Sequence, residues 1–299
     1  MYPIKHPLPP RPDGYPISAK VIKDSVSPDG VRLTTLEVVM PRYMLAELAT
    51  HRVFSKNASS SRAIPTARAS AAVESQIVMP VRWGKNQSGM QPSLENLEGD
   101  DLAIAEAIWT NAANVCLDAS RALAALGLHK QWSNRPLEWF GTIRLVLTST
   151  KWGNFFNLRD HPAAQDEIHY LSHDIKEALN GSTPQHLRYG QWHIPYVSDE
   201  ELLQLTSEEA LKVSSARCAR SSYKTTEGVT STLSEDLKLF ERLKAGVGEE
   251  EEDPFHASPT EHQGRPARYW ENFADKTGNL HGWVQYRKVV ENVAGLSSN

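Results

Sequence analysis

The chain of 299 residues is poor in cysteine, with only Cys116 and Cys218. That excludes a disulfide framework and zinc-finger spacing, and the expected setting is reducing and cytoplasmic. Long apolar runs are missing too: no stretch approaches the roughly 20 residues a membrane helix needs. The opening Met1-Tyr2-Pro3-Ile4-Lys5-His6-Pro7 has no hydrophobic core and is not expected to act as a secretion leader. There is no excess of positive charge. A formal net charge of -4 and a pI near 6.3 argue against a general nucleic-acid binder, leaving room for a local basic patch. Also absent are a G-x-S-x-G elbow, a G-x-x-x-x-G-K-[ST] phosphate loop, and H-E-x-x-H or C-x-x-C metal patterns.

What is present is ordinary globular composition, 40% hydrophobic and 23% charged, enough for one large domain or two smaller ones. Residues 1–16 carry six prolines and read as an extended arm, with a single domain over 17–293 and a frayed tail at 294–299. Ala19–Val26 and Val31–Met40, joined by Pro28-Asp29-Gly30, predict a β-hairpin. The second strand runs through Pro41 into a helix over Tyr43–Arg52. Trp83–Met90 reads as a polar loop. Asp100 or Asp101 is expected to cap a long helix ending at Gly127, with Ile104, Ile108, Ala112, Val115, Ala119 and Ala122 as its core stripe. Cys116 on this helix reads as a packed thiol. A short helix over His129–Phe140, a strand over Thr142–Thr148 and an amphipathic helix over Pro162–Leu179 follow. The last third predicts helices over Ser207–Ser222 and Ser234–Leu243, an acidic loop over Glu249–Asp253, and a strand or helix over His281–Lys288.

The densest chemistry lies in Leu48-Ala49-Thr50-His51-Arg52-Val53-Phe54-Ser55-Lys56-Asn57-Ala58-Ser59-Ser60-Ser61-Arg62. Cations and hydroxyls gather there with no carboxylate after Glu47. Arginine offers forked donors and serine an adaptable one, so the pattern suits a phosphate or an electron-rich ring. The bland alternative is a solvated helix end and a polar loop. A second stretch, Asn154-Phe155-Phe156-Asn157-Leu158-Arg159, alternates polar and aromatic residues. Two further possibilities stand beside these: Cys218, flanked by Arg217 and Arg220, as a nucleophile, and His256 with His262 and Glu261 as metal ligands.

The stretch His51-Arg52-x-x-Ser55-x-Asn57-x-x-Ser60-x-Arg62 resembles the R-H-R-x-x-S-x-N-x-x-S-x-R-Y signature of the flavin-dependent thymidylate synthases. Residues 154–159 resemble that family's N-F-L-N-L-R segment. Ala219-Arg220-Ser221-Ser222-Tyr223 resembles its A-A-R-V-S-Y segment, and His256-x-Ser258-Pro259-Thr260-Glu261-His262 its H-x-T-P-F-E-H segment. The last two precede the signature in the family and follow it here. This implies a circular permutation, in which 17–198 carries the central signature and 207–293 the segments that are N-terminal elsewhere. Long variants of this kind resemble those encoded by bacteriophages.

The resemblance implies an α+β fold, a mixed sheet packed with long helices. It implies FAD as cofactor, with NADPH and 5,10-methylenetetrahydrofolate as co-substrates, and one-carbon transfer to C5 of a pyrimidine deoxynucleotide monophosphate, dUMP to dTMP. His51, Arg52 and Arg159 would be catalytic. His51, Arg52, Asn57, Asn154, Ser222, His256, Ser258 and Glu261 would bind the flavin. Glu47, Ser60, Ser61, Arg62 and Arg159 would hold the nucleotide, Ser60 and Arg62 at its phosphate. No metal is implied. A homotetramer with sites shared between subunits is implied as well, with no membrane or nucleic acid involved. Thr50, Ala58 and Ala63 depart from the signature's first arginine, a glutamate and its tyrosine, and Thr148 falls where a flavin-contacting asparagine is expected. Glu47 replaces a glutamine, and an ionised carboxylate only accepts hydrogen bonds; dCMP is therefore an alternative substrate. A relative that binds flavin or nucleotide without turnover is a second alternative, and a nucleic-acid face at His51–Arg62 a third.

Overall fold

Alternation of residues along two strands builds the middle of the molecule, and two-residue periodicity gives the sheet two unlike faces. The structure, a computed structural model, describes residues 2, 3, 8, 10–221, 231–245 and 256–293. β1 (Ser18–Val26) and β2 (Arg32–Pro41) form the expected hairpin, its turn closed by Gly30 N–H donating to Ser27 O at 2.9 Å. β3 (Ser55–Ala58), β4 (Thr142–Ser149) and β5 (Gln185–His186) complete a sheet of order β3-β4-β2-β1-β5. Only the β1–β5 pairing is parallel, so the sheet is mixed, as expected of this α+β fold.

One face is apolar. Leu36, Val38 and Met40 of β2 stand beside Ile143, Leu145 and Leu147 of β4, all fully or almost fully buried. Helices α1 (Leu45–Ala49), α2 (Thr66–Ser75), α3 (Gly99–Ala125) and α4 (Lys130–Ser133) lie between β2 and β4 in the chain; α5 (Gly153–Arg159) and α6 (Asp166–Asn180) follow β4. α5 and α6 cover the apolar face with Phe155, Phe156, Ile168, Leu171 and Ile175. The described part of the proline-rich arm is strapped along α6. Tyr2 exchanges two 2.8 Å backbone hydrogen bonds with the Asn180 amide, Tyr170 donates to Pro10 O, and Arg11 pairs with Asp174 at 2.9 Å.

The other face carries a buried polar network in its middle. Thr35 and Thr148 share a hydrogen bond at 2.7 Å; His193 joins Thr35 at 2.9 Å and Ser25 at 2.8 Å, and His262 joins Thr148 at 2.8 Å. The last third packs here: α7 (Asp199–Leu202), α8 (Ser207–Ser221), α9 (Leu233–Ala245), α10 (Ala274–Thr277) and α11 (Tyr286–Val293), with a ladder of β6 (Gly264–Pro266) and β7 (Trp283–Gln285). Among the described residues, no helix is long and apolar enough to cross a membrane.

Several expectations need correction. The helix over Tyr43–Arg52 is a 3-10 turn, Arg42–Met44, followed by α1, and it ends at Ala49, freeing His51 from helical geometry. Neither Asp100 nor Asp101 caps the long helix: both lie in its first turn, and Glu98 at the N-cap position makes no side-chain cap hydrogen bond. Gly127 at φ 81° does terminate it. Its core face is Ala113, Leu117 and Ser120; the expected core stripe points outward, with Ile104 56%, Ile108 65% and Val115 59% exposed. His129–Phe140 breaks into α4 and a 3-10 turn at Arg135–Leu137, because Pro136 cannot continue an α-helix. The helix expected from Pro162 starts at Asp166. His281–Lys288 is a strand followed by a helix. The acidic loop over 249–253 and the tail from 294 lie outside the described residues.

Candidate active site

Strand periodicity divides the signature. Along β3, Ser55 pairs with Thr148 and Asn57 with Val146, so both side chains share the polar face; Lys56 and Ala58 point the other way. His51 and Arg52 precede the strand, and Ser60, Ser61 and Arg62 follow it.

At the first end, a turn closed by Phe54 N–H to His51 O lays the imidazole against aromatic rings: edge-on to Phe155 at 5.0 Å and stacked with Phe54 at 5.9 Å. His51 is 6% exposed. Arg159, at the end of α5, donates from Nε to His51 Nε2 at 3.1 Å and from Nη1 to Glu47 Oε1. A guanidinium only donates, so His51 Nε2 accepts and the ring is neutral with its proton on Nδ1. Burial, then the nearby charges of Arg159 and Lys56, hold its pKa at about 4. Lys56, itself half-buried with its pKa lowered by burial, donates to His51 O at 2.8 Å. Two of the three guanidinium nitrogens of Arg159 are thus engaged; Nη2 has no partner among the described residues and is free to donate to a carbonyl or an anion. Arg52 and Asn154 are exposed and make no side-chain hydrogen bond among the described residues.

On the polar face, Asn57 Nδ2 donates to Cys218 O at 2.7 Å, and Ser258 donates to Asn57 Oδ1 at 3.3 Å. Glu261 pairs with Arg287. His256 is exposed, its backbone N–H on Leu243 O at 3.1 Å. So the structure brings Asn57, Ser258 and Glu261 together from segments about 200 residues apart in the chain. Ser222 lies outside the described residues. Thr148 is fully buried in the Thr35–His262 network.

Beyond the other end of the strand, Ser60 is half-buried, Ser61 buried and Arg62 exposed. At about 3.3 Å per extended residue they stand roughly 15 Å or more from His51. The phosphate-binding candidates and the Glu47–His51–Arg159 cluster thus lie at opposite ends of β3.

Two alternatives lose their basis. The Cys218 thiol is fully buried and its pKa is pushed well up by burial, the opposite of an activated nucleophile. Its neighbours serve other partners: Arg217 pairs with Glu201 at 2.6 Å and with Asp236 at 2.9 Å, and Arg220 with Asp236 at 3.1 Å. His262 is buried with Nδ1 bonded to Thr148 while His256 is exposed, and among the described residues no group of three His, Cys, Asp or Glu is placed to hold a metal. Missing from the sequence reading were Lys56 and Phe155. Both sit inside recognised stretches, but nothing in their spacing announces contact with His51.

Residues 31–185 match the family model described as thymidylate synthase complementing protein, just over half of the chain. The chain belongs to this family. It is a thymidylate synthase-like methyltransferase, and the match takes in both the signature and residues 154–159, ending before the segments at 207–262. Among solved structures it is similar to a UMP/dUMP methylase from Streptomyces cacaoi bound with 5-Br dUMP, at 16% identity, 55% of this chain, 89% of that one and a TM-score of 0.44. It is also similar to a flavin-dependent thymidylate synthase from Helicobacter pylori complexed with FAD and dUMP, at 18% identity, 49% of this chain, 67% of that one and a TM-score of 0.34. No curated protein sequence matches the chain.

Proposed function

We propose that this family member transfers a one-carbon unit to C5 of a pyrimidine deoxynucleotide, dUMP to dTMP, in a flavin- and folate-dependent reaction. The observation that carries it is Arg159, held between His51 and Glu47 with a free edge. A planar donor fixed on two sides is suited to reading the carbonyl edge of a pyrimidine. The residues fit a flavin: Arg52 and Asn154 are exposed donors beside neutral His51, and Asn57 and Ser258 offer polar atoms on the opposite face of β3. Bound FAD would supply the hydride, recharged by NADPH, and 5,10-methylenetetrahydrofolate the carbon. This chain's residues would bind and orient: Arg159 and Glu47 the base, Ser60, Ser61 and Arg62 the phosphate, and His51 with Arg52 the flavin side of the transfer.

The reading includes a cytoplasmic homotetramer of a single catalytic domain with shared sites. The placement of the Ser60–Arg62 end and the Arg159 end at opposite ends of β3 supports it, since a second copy could supply complementary groups at each end. So does the outward apolar stripe of α3. The meeting of Asn57 with Ser258 supports the circular permutation. A second reading, dCMP as substrate, is favoured by Glu47: Arg159 occupies Oε1, leaving Oε2 as an acceptor suited to an exocyclic amine. The test is optical. The purified protein is expected to carry or take up FAD and to bleach with NADPH under anaerobic conditions; failure to take up FAD would overturn the reading.

A further inference from the structure

Lysines are rarely buried without a partner, because an ammonium taken out of water needs an opposite charge. Lys176 on α6 and Asp160 are each 3% exposed, and they pair through Nζ and Oδ2. Two further contacts hold the ammonium: it donates to Pro3 O at 2.8 Å and lies 5.1 Å from the centre of the Phe156 ring. His169 Nε2 lies 3.4 Å from the other carboxylate oxygen, Asp160 Oδ1. The function proposed above uses neither Lys176 nor Asp160.

Asp160 directly follows Arg159 and closes α5. Its N–H donates to Phe156 O at 3.0 Å, and its backbone leaves helical geometry at ψ 59°. α5 has seven residues, about two turns, too few to be stable without tertiary support. The last residue of so short a helix frays unless it is tied down. Phe155 and Phe156 pack the middle of the helix into the core, but a cavity of about 180 Å³, lined by Pro3, Asn157, Asp160 and Lys176, lies beside its end. Close packing therefore does not hold this end. The ion pair does, drawing Asp160 inward to α6 while the adjacent Arg159 side chain runs to His51 and Glu47.

We propose that Lys176 is a positioning residue for Arg159. Acting through Asp160, it fixes the end of α5 so that Arg159 Nε stays on His51 Nε2 and the free Nη2 keeps one direction. That this direction matters to a nucleotide rests on the function proposed above; the positioning itself does not.

Long-range proton–nitrogen NMR of the histidine rings at neutral pH tests this, with no flavin or nucleotide present. In the wild type, His51 is expected as the Nδ1–H tautomer with an acceptor-type Nε2 signal, and Arg159→Ala supplies the spectrum of a His51 that has lost its donor. Lys176→Met, and Lys176→Met combined with Asp160→Asn, are expected to move the His51 Nε2 signal most of the way to its place in Arg159→Ala. The double variant leaves no unpaired buried charge, so it guards against a single variant that fails to fold. In turnover the same variants are expected to lower kcat/KM for the nucleotide roughly tenfold with FAD uptake unchanged. A wild-type His51 without the acceptor-type signal overturns the inference, as does a folded double variant that keeps the wild-type signal. A double variant that does not fold overturns it too, by making the pair a purely structural one. Absence of FAD uptake or turnover in the wild-type protein would count against the proposed function and leave the NMR result standing.

Discussion

Arg159 makes its contacts through a plane, and a plane is what lysine lacks. A Lys at this position keeps the charge but not the fork that bonds His51 and Glu47 together. Arg159→Lys is therefore predicted to lower kcat/KM by roughly 10- to 100-fold, about 1.4–2.7 kcal/mol, measured in steady-state turnover. The Glu47–Arg159 pair is partly exposed and contributes on the order of 1 kcal/mol or less to stability, so its importance lies in orientation. Glu47→Gln replaces one acceptor with an amide that both donates and accepts. It is predicted to raise the ratio of dUMP to dCMP turnover, measured by competition between the two; an unchanged ratio would remove Glu47 from substrate selection. At this scale the sequence was informative because the signature has fixed offsets. Lys56 and Phe155 were not legible, since contact with His51 depends on a turn and on a helix 100 residues away.

Among the elements, the hairpin was readable because β-branched runs flank a Pro-Asp-Gly turn. The division of the signature by β3 was not, because which residues extend into a strand depends on pairing with β4, a long-range event. The α3 stripe shows the same limit. Both Ile104–Ala122 and Ala113–Ser120 recur at helical spacing, and periodicity cannot choose which of two stripes faces the chain's own core. An unpaired stripe containing Ile104, Ile108 and Val115 is what the proposed tetramer has to cover. Ile108→Asp with Val115→Asp is predicted to lower the sedimenting mass toward the 33.4 kDa of one chain while far-UV circular dichroism stays unchanged. A wild-type protein already sedimenting as a single chain would contradict the shared-site account.

Taken whole, the molecule buries four described histidines whose pKa burial lowers, His51, His169, His193 and His262. Burial holds His51 at about 4, His262 at about 3 and His193 well below the ordinary value. Each takes up its proton near pH 6.5 when unfolded but only at lower pH when folded, about 4 for His51 and about 3 for His262. Between these limits the unfolded chain binds more protons, so stability is complete above about pH 6.5 and is lost as pH falls toward 4. The slope is at most roughly 1.4 kcal/mol per pH unit for each histidine. Urea midpoints are predicted to drop between pH 7 and pH 5, and His193→Gln to flatten that fall; a midpoint independent of pH would contradict the burial of these rings as neutral groups.

The most direct measurement of the central claim is product analysis. The FAD-loaded protein, supplied with NADPH and 5,10-methylenetetrahydrofolate, is incubated with dUMP and with dCMP in parallel, and the nucleotides are resolved by chromatography and mass spectrometry. The account predicts a C5-substituted product, dTMP from dUMP or its cytosine counterpart from dCMP, that disappears in Arg159→Ala. Recovery of both nucleotides unchanged from flavin-loaded, folded protein would contradict it.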